Sequence, residues 1–293
     1  MKRNPAAADR RVSTALREQM FRGHDIVPEV VRLCAMNRYL RGIGGSTSQV
    51  VPVDALANDD GERFDIVLAN PPFGKRTSYR TVNAKGDMET ERQDYVREDF
   101  TVTTSNKQLN FLQHIMTILK PGVVLPDNVL FEGGTGEAIR RRLLKDFNFH
   151  TLLRLPTGIF YKQGVKANVL FFEKVAAGER IATEALWVYD FRTNQRFTLR
   201  ERPLKRADLD DFVAAYRPNH LRHTREDSER FRRFGDEELA ARDKLNLDIF
   251  WLKDDGHIDP DSLPPPDEVA AEIVENLEAA LERFRKVAAE LAG

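Results

Sequence analysis

The stretch FDIVLANPPFG, Phe64 to Gly74, is an almost unbroken apolar run that stops at two consecutive prolines. A short run of this kind suits a strand covered on both faces. Proline has no N–H, fixes its own φ and pushes the residue before it into an extended conformation. Pro71 and Pro72 therefore leave the carbonyls at the strand's end rigid and without ladder partners. In an open α/β sheet, ligands bind beyond the carboxyl ends of the strands, so these acceptors face the expected site. Asn70 adds a side-chain carbonyl in the same place, and Phe73 adds a flat apolar face. Fixed acceptors beside an aromatic plate suit a planar group bearing an NH2. The lone pair of such an amine is delocalised into its ring, and hydrogen bonds from both N–H groups to fixed acceptors help to localise it. A sulfonium methyl held in line could then be attacked, so the constellation fits amino methylation of a base or an amide.

Upstream of this stretch, FRGHDI (Phe21 to Ile26) reads as a short strand leading past Asp25 to a turn at Pro28. PEVVRLCAMNRYLRG reads as a helix, with Pro28 at its first position and Gly42 past its end. SQVVPVDAL reads as a strand ending at Asp54. Strand, helix, strand, strand-with-loop is the rhythm of an α/β sheet. Downstream, Gly74 to Lys107 shows no apolar period, and a structureless loop of that length is usually functional or disordered. It carries Lys75, Arg76, Arg80, Lys85, Arg92 and Arg97, offset by acidic residues, either as candidates for closing over phosphates or as a solvated loop.

Order returns in QLNFLQHIMTILKPG, a helix with Leu112, Ile115, Met116 and Leu119 on one face. VVLPDNVLF reads as a strand and turn, and EGGTGE (132–137) as the loop opening the helix GEAIRRRLLKDF, which buries Ile139, Leu143 and Phe147. HTLLRLP and ANVLFFEKV read as strands joined by TGIFYKQGVK. LWVYDFRTNQRFTLRERPL reads as a small hairpin, followed by charged, mostly helical sequence. After the prolines at 264–266, Val269, Ile273, Leu277, Leu281, Phe284 and Leu291 mark an amphipathic helix suited to docking a partner. The expected organisation is a catalytic α/β domain over 1–177, a hairpin and helical extension over 178–263, and a docking helix over 264–293.

With 293 residues and 41% hydrophobic content the chain can bury a sizeable core. No apolar run approaches the ~20 residues that cross a bilayer, and no apolar segment follows the N-terminal charges, so a cytoplasmic protein without membrane contact is expected. Cys34 stands alone, which excludes an internal disulfide, and no Cys/His spacing points to zinc. His220 and His223 stand three apart without a third ligand and read as surface. A net charge of −1 lacks the basic balance of many free-standing nucleic-acid binders, so DNA contact would be a local patch or a partner's contribution.

The NPPF of Asn70 to Phe73 resembles the catalytic motif of S-adenosylmethionine-dependent amino-methyltransferases, the class that methylates adenine N6. MNRYLRGIG, FDIVLANPPFG, NFLQHIMTILKPG, LPDNVLFEGG with IRRRLL, LLRLPTGIFYKQGVKANVLFFEK and LNLDIFWL occur in the order seen in the modification (M) subunit of type I restriction-modification enzymes. The resemblance covers roughly residues 20–290. It implies a Rossmann-like class I methyltransferase sheet with a helical C-terminal extension, S-adenosylmethionine as cofactor and DNA as substrate. The implied partners are a specificity subunit, a second modification subunit and a restriction subunit. By the same resemblance Asn70, Pro71, Pro72 and Phe73 hold a flipped adenine and Phe160 stacks on its other face. Asp25 accepts the donor's ribose hydroxyls, and Asp54 lies near the donor's adenine ring. The family's glycine-rich signature, of the form Asp-Pro-Ala-Cys-Gly-Thr-Gly-Gly-Phe, has no counterpart here, since residues 1–20 contain no glycine. An N-terminally truncated member with an incomplete sheet, lacking its first strand, is the expectation. LKPGVVLPD is also shorter than the family pattern, so the strand from Val123 should be short. Two other readings stay open: an amide or RNA amino-methyltransferase, and a non-catalytic DNA-binding or assembly fragment.

Overall fold

Pro28 opens helix α1 (Pro28–Leu40), as its fixed φ favours, and Gly42 follows the helix at φ +70°. The structure, a computed structural model, describes residues 14–15, 17–18, 20–44, 48–69, 71, 78–82, 88–92, 94–119, 127–160, 165–175 and 181–253; the side chains of 78–82, 88–92, 127–128 and 219 are not described. Strand β1 (Gly23–His24) precedes α1 and pairs in parallel with β2 (Val50–Val51), Gly23 opposite Val50 and His24 opposite Val51. This is the strand–helix–strand unit that the sequence predicts. On α1 only Val31 is buried, while Val30, Leu33, Met36 and Leu40 are exposed.

Phe64 to Ala69 departs from expectation. The Phe64 N–H donates to the Ile118 carbonyl at 2.8 Å, and Phe64 makes a single parallel bridge to Leu119. Val67 and Ala69 pack against the core, whereas Ile66 and Leu68 are 73% and 79% exposed. The run read as a strand covered on both faces is thus a single-faced extended segment. Among the described residues no strand pairs along 65–69, and a ladder forms only where a neighbour supplies one.

The long loop after the prolines is not structureless. It contains an antiparallel hairpin, β3 (Ser78–Val82) with β4 (Met88–Arg92), in register from Ser78–Arg92 to Val82–Met88. Helix α2 (Lys107–Ile118) starts at Asn106, whose side chain accepts from the N–H groups of Gln108 and Leu109. It buries Leu109, Leu112, Ile115 and Met116. Of the segment read as a strand and turn, 123–126 lie outside the described residues and Asp127–Leu130 form a 3-10 turn. Gly134 (φ +59°) precedes helix α3 (Thr135–Asp146), so the glycine cluster at 132–137 is the loop that opens a helix.

The main sheet has the order β6-β5-β7-β8, with β5 (Phe147–Leu155), β6 (Ala167–Lys174), β7 (Ala185–Asp190) and β8 (Phe231–Gly235). β5 is antiparallel to β6 and parallel to β7, and β7 is antiparallel to β8. The hairpin expected at Leu186 to Leu204 is therefore corrected: β7 is an interior strand whose antiparallel partner is Phe231–Gly235. Its residues show why. Leu186 and Val188 join the cluster of Leu152, Leu170 and Phe172, while Trp187 and Tyr189 pack on Phe231 on the other side. A strand with apolar side chains on both faces needs neighbours above and below.

Helices α4 (Asp210–Tyr216) and α5 (Asp236–Ala240) complete a mixed α/β unit that runs to Trp251. LNLDIFWL closes this unit by docking on buried arginines. Arg140 donates to the carbonyls of Leu245 (2.8 Å), Lys244 (2.7 Å) and Val129 (2.7 Å). Arg154 bonds the Ile249 carbonyl, lies 3.0 Å from Asp248 Oδ1 and stacks 3.8 Å over Phe250. Among the described residues no helix is long and apolar enough to cross a membrane. The segment 264–293, expected as a docking helix, lies outside the described residues.

Candidate active site

Two carboxylates stand past the ends of the parallel pair β1–β2. Asp25 follows His24 directly, and its N–H donates to the Val51 carbonyl at 3.3 Å. Its Oδ1 accepts from the Val27 N–H at 2.8 Å, which caps the turn into α1. Asp54 ends the chain leaving β2, and its Oδ1 accepts from the Leu56 N–H at 2.9 Å. The pair sits where the sequence places it, at the carboxyl edge of adjacent parallel strands. Each carboxylate also shapes its own turn.

Asp54 has a further partner that the sequence does not announce. The Tyr95 hydroxyl donates to Asp54 Oδ2 at 2.9 Å. Burial first, and then this bond, push the Tyr95 phenol upward, so it stays a donor. Two residues on, the Arg97 side chain is 4% exposed and paired to Asp99 through Nε–Oδ1 (2.9 Å) and Nη2–Oδ2 (2.8 Å). Its Nη1 reaches the carbonyls of Ala55, Leu56 and Asn58 at 3.4, 3.3 and 3.1 Å, and lies 3.2 Å from His114 Nδ1. Arg97, expected among the basic candidates for DNA phosphates, is instead an internal clamp on residues 55–58. Burial alone would raise the Asp99 carboxyl, but hydrogen bonds from Arg97 and Thr117 bring it below the usual range. Leu56, Tyr95 and Phe100 are buried together, with Phe111 against them.

Of the acceptor motif, Pro71 is buried, while Asn70, Pro72 and Phe73 lie outside the described residues, as do Lys75 and Arg76. Arg80 falls within strand β3. Phe160 is half-buried and lines a groove with Phe197, Thr198, Leu199 and Arg200. The turn before it needs Gly158, which has φ +83°; a Cβ there would lie 1.9 Å from the Phe197 carbonyl oxygen. His24, Asp60 and Glu62 bring metal-ligand atoms within 4.8 Å of one another, and the Arg22 guanidinium, 3.6 Å from Glu62, already supplies a counter-charge there.

Tyr95 and Asp99 escape a sequence reading, and Arg97 is misread by it, because YVRED resembles any charged loop; His114 lies on helix α2 and carries no signal of this contact. Only the fold brings this segment to the end of β2.

The family model for N-6 DNA methylases matches residues 7–250. The chain is 38% identical over 304 residues to the type I restriction enzyme StySPI methylase subunit of Salmonella potsdam, a match covering 90% of this chain and 55% of that subunit. To the EcoKI methylase subunit of Escherichia coli strain K12 it is 38% identical over 311 residues, covering 92% of this chain and 56% of that subunit. The crystal structure of the type I restriction enzyme EcoKI M protein superposes with a TM-score of 0.70 at 34% identity, covering 97% of this chain and 63% of that one. The chain thus spans about half the length of the curated relatives it matches. With identity at this level over nine-tenths of its residues and a family match over most of its length, the chain belongs to the N-6 DNA methylase family.

Proposed function

We propose that this chain is the catalytic portion of an adenine-N6 DNA methyltransferase subunit of a type I restriction-modification system. It would act on a flipped adenine with S-adenosylmethionine as methyl donor. The observation that carries the reading is the Asn-Pro-Pro-Phe motif at the end of the extended segment 64–69, in a chain aligned over most of its length with methylase subunits.

The residues present suit the donor. Carboxylates accept hydrogen bonds from hydroxyl and amino groups, and Asp25 and Asp54 place two of them at the ends of adjacent parallel strands, fitting a ribose diol and an adenine amine. S-adenosylmethionine supplies an electrophilic sulfonium methyl when bound. On the acceptor side, the Asn70 side-chain carbonyl and the Pro71 backbone carbonyl take the two N6 protons' hydrogen bonds and concentrate the nitrogen lone pair. Phe73 and Phe160 stack on the two faces of the base, replacing the neighbours it loses on leaving the duplex. As methyl is transferred, the N6 proton passes to solvent or to one of these acceptors.

Sequence recognition falls to a specificity subunit, in keeping with the net charge of −1. A second modification subunit and a restriction subunit complete the proposed complex, and segment 264–293 is the proposed docking element. The reading is tested by reconstituting the chain with its specificity subunit and offering duplex DNA, RNA and protein acceptors with radiolabelled donor. N6-methyladenine in DNA is the expected product; label confined to RNA or to a protein amide would overturn the reading.

A further inference from the structure

The turn carrying Asp54 is held from outside its own strand. Asp54 Oδ1 is engaged by the Leu56 N–H, and Oδ2 receives the Tyr95 hydroxyl at 2.9 Å. Three carbonyls of the same turn, those of Ala55, Leu56 and Asn58, converge on the Arg97 guanidinium. The opposite edge of that guanidinium is neutralised by Asp99, which also receives the Thr117 hydroxyl from α2. Leu56, Tyr95 and Phe100 seal the contact with apolar surface.

Tyr95 and Arg97 belong to the segment that leaves the acceptor side. Strand β4 ends at Arg92, only three residues before Tyr95, and the β3–β4 hairpin itself follows the Asn-Pro-Pro-Phe motif. Tyr95 also bridges Thr104, just ahead of α2. A displacement of this segment when nucleic acid is engaged must therefore either break the Tyr95–Asp54 bond or carry Asp54 with it.

We propose that Tyr95 is a positioning residue for methyl-donor binding: its hydroxyl orients the Asp54 carboxylate, Arg97 holds the turn beneath it, and together they make donor affinity responsive to DNA on the acceptor side. The inference rests on the function proposed above and adds to it two residues and a coupling. A phenylalanine at 95 keeps the ring in the Leu56–Phe100 cluster and removes only the hydroxyl, so Tyr95→Phe isolates the hydrogen bond from the packing.

The test uses the full chain assembled with its specificity subunit. The dissociation constant of S-adenosylmethionine is measured by calorimetry with and without a target duplex, and KM and kcat for the donor are measured alongside. Loss of one positioning hydrogen bond of ordinary net strength, felt by the donor only through Asp54, predicts a donor affinity weaker by about 3–10-fold in Tyr95→Phe. KM should rise more than kcat falls, and the change in donor affinity on adding DNA should shrink. Asp54→Asn should weaken donor binding too, and adding Tyr95→Phe to it should cost little more, because the two groups act as one unit. If the wild-type complex binds donor and Tyr95→Phe binds it equally well with the same response to DNA, the inference is overturned while the functional reading stands. It is likewise overturned if Tyr95→Phe lowers thermal stability, kcat and DNA affinity in parallel, the signature of a structural residue only. A wild-type complex that binds no donor would overturn the functional reading itself, and this inference with it.

Discussion

His114 lies buried beside the Arg97 guanidinium, and burial, helped by that positive neighbour, pushes its pKa down from 6.5 to about 4. The folded state thus resists a proton that the unfolded chain accepts near pH 6.5. Stability from this group is fully present above pH 6.5 and is lost as pH falls toward about 4, by on the order of 3 kcal/mol at most. His150, pushed down to about 3 by burial and by Arg222 and Arg225, adds to the loss in the same direction. His114→Gln keeps an acceptor for Arg97 and cannot titrate, so urea midpoints measured between pH 7 and 4 should fall less steeply in the variant. Equal slopes would contradict the assigned environment. Arg140 is the second such case at this scale. Its two buried carbonyl partners, Val129 and Leu245, are orphaned in Arg140→Ala at about 1–3 kcal/mol each, so urea unfolding should show a loss of about 2 kcal/mol or more. Its importance could not be read from RRRLLKDF, where Arg140, Arg141 and Arg142 look alike and only helical phase separates the buried guanidinium from the half-buried Arg142 and the exposed Arg141.

At the scale of elements, local signals were legible and pairings were not. Pro28 and Gly42 mark helix ends through their own stereochemistry, and the structure places helix ends there, whereas the Asn106 cap of α2 was not read. Strands depend on partners distant in sequence, which is why FDIVLA reads as a fully covered strand yet exposes Ile66 and Leu68, and why β7 reads as a hairpin arm although its antiparallel partner is Phe231–Gly235. The single-faced packing of 64–69 makes a prediction: Leu68→Ser should change unfolding free energy by less than about 0.5 kcal/mol, whereas Val67→Ser, on the core-facing side, should cost clearly more. The turn before Phe160 makes another. Gly61 and Gly158 both have positive φ, but only Gly158 has a backbone oxygen where a Cβ would stand. Gly61→Ala should cost about 1–2 kcal/mol from conformation alone, and Gly158→Ala distinctly more, both read by urea unfolding. Similar losses at the two sites would show that the Phe197 carbonyl yields without penalty.

At the scale of the whole molecule, the proposed chemistry divides into an acceptor side, written contiguously as Asn70 to Phe73, and a donor side that would be assembled from β1, β2 and the 94–100 segment. The first rests on the sequence alone, where proline, asparagine and phenylalanine bring their own groups to adjacent positions, and Asn70, Pro72 and Phe73 lie outside the described residues. On the second, the strand-end positions of Asp25 and Asp54 were legible, whereas Tyr95 and Arg97 gain their place from contacts across some forty positions. The chain spans about half the length of its methylase relatives, so activity is best measured in the assembled complex. The most direct measurement is transfer of labelled methyl to a target duplex by complexes carrying the wild-type chain or Asn70→Ala, with DNA binding measured in parallel. The proposed chemistry predicts N6-methyladenine from the wild type and a fall of about 100-fold or more in the variant, as for loss of one preorganised group at a reacting centre, with DNA affinity retained. Methylation by Asn70→Ala at the wild-type rate would contradict it.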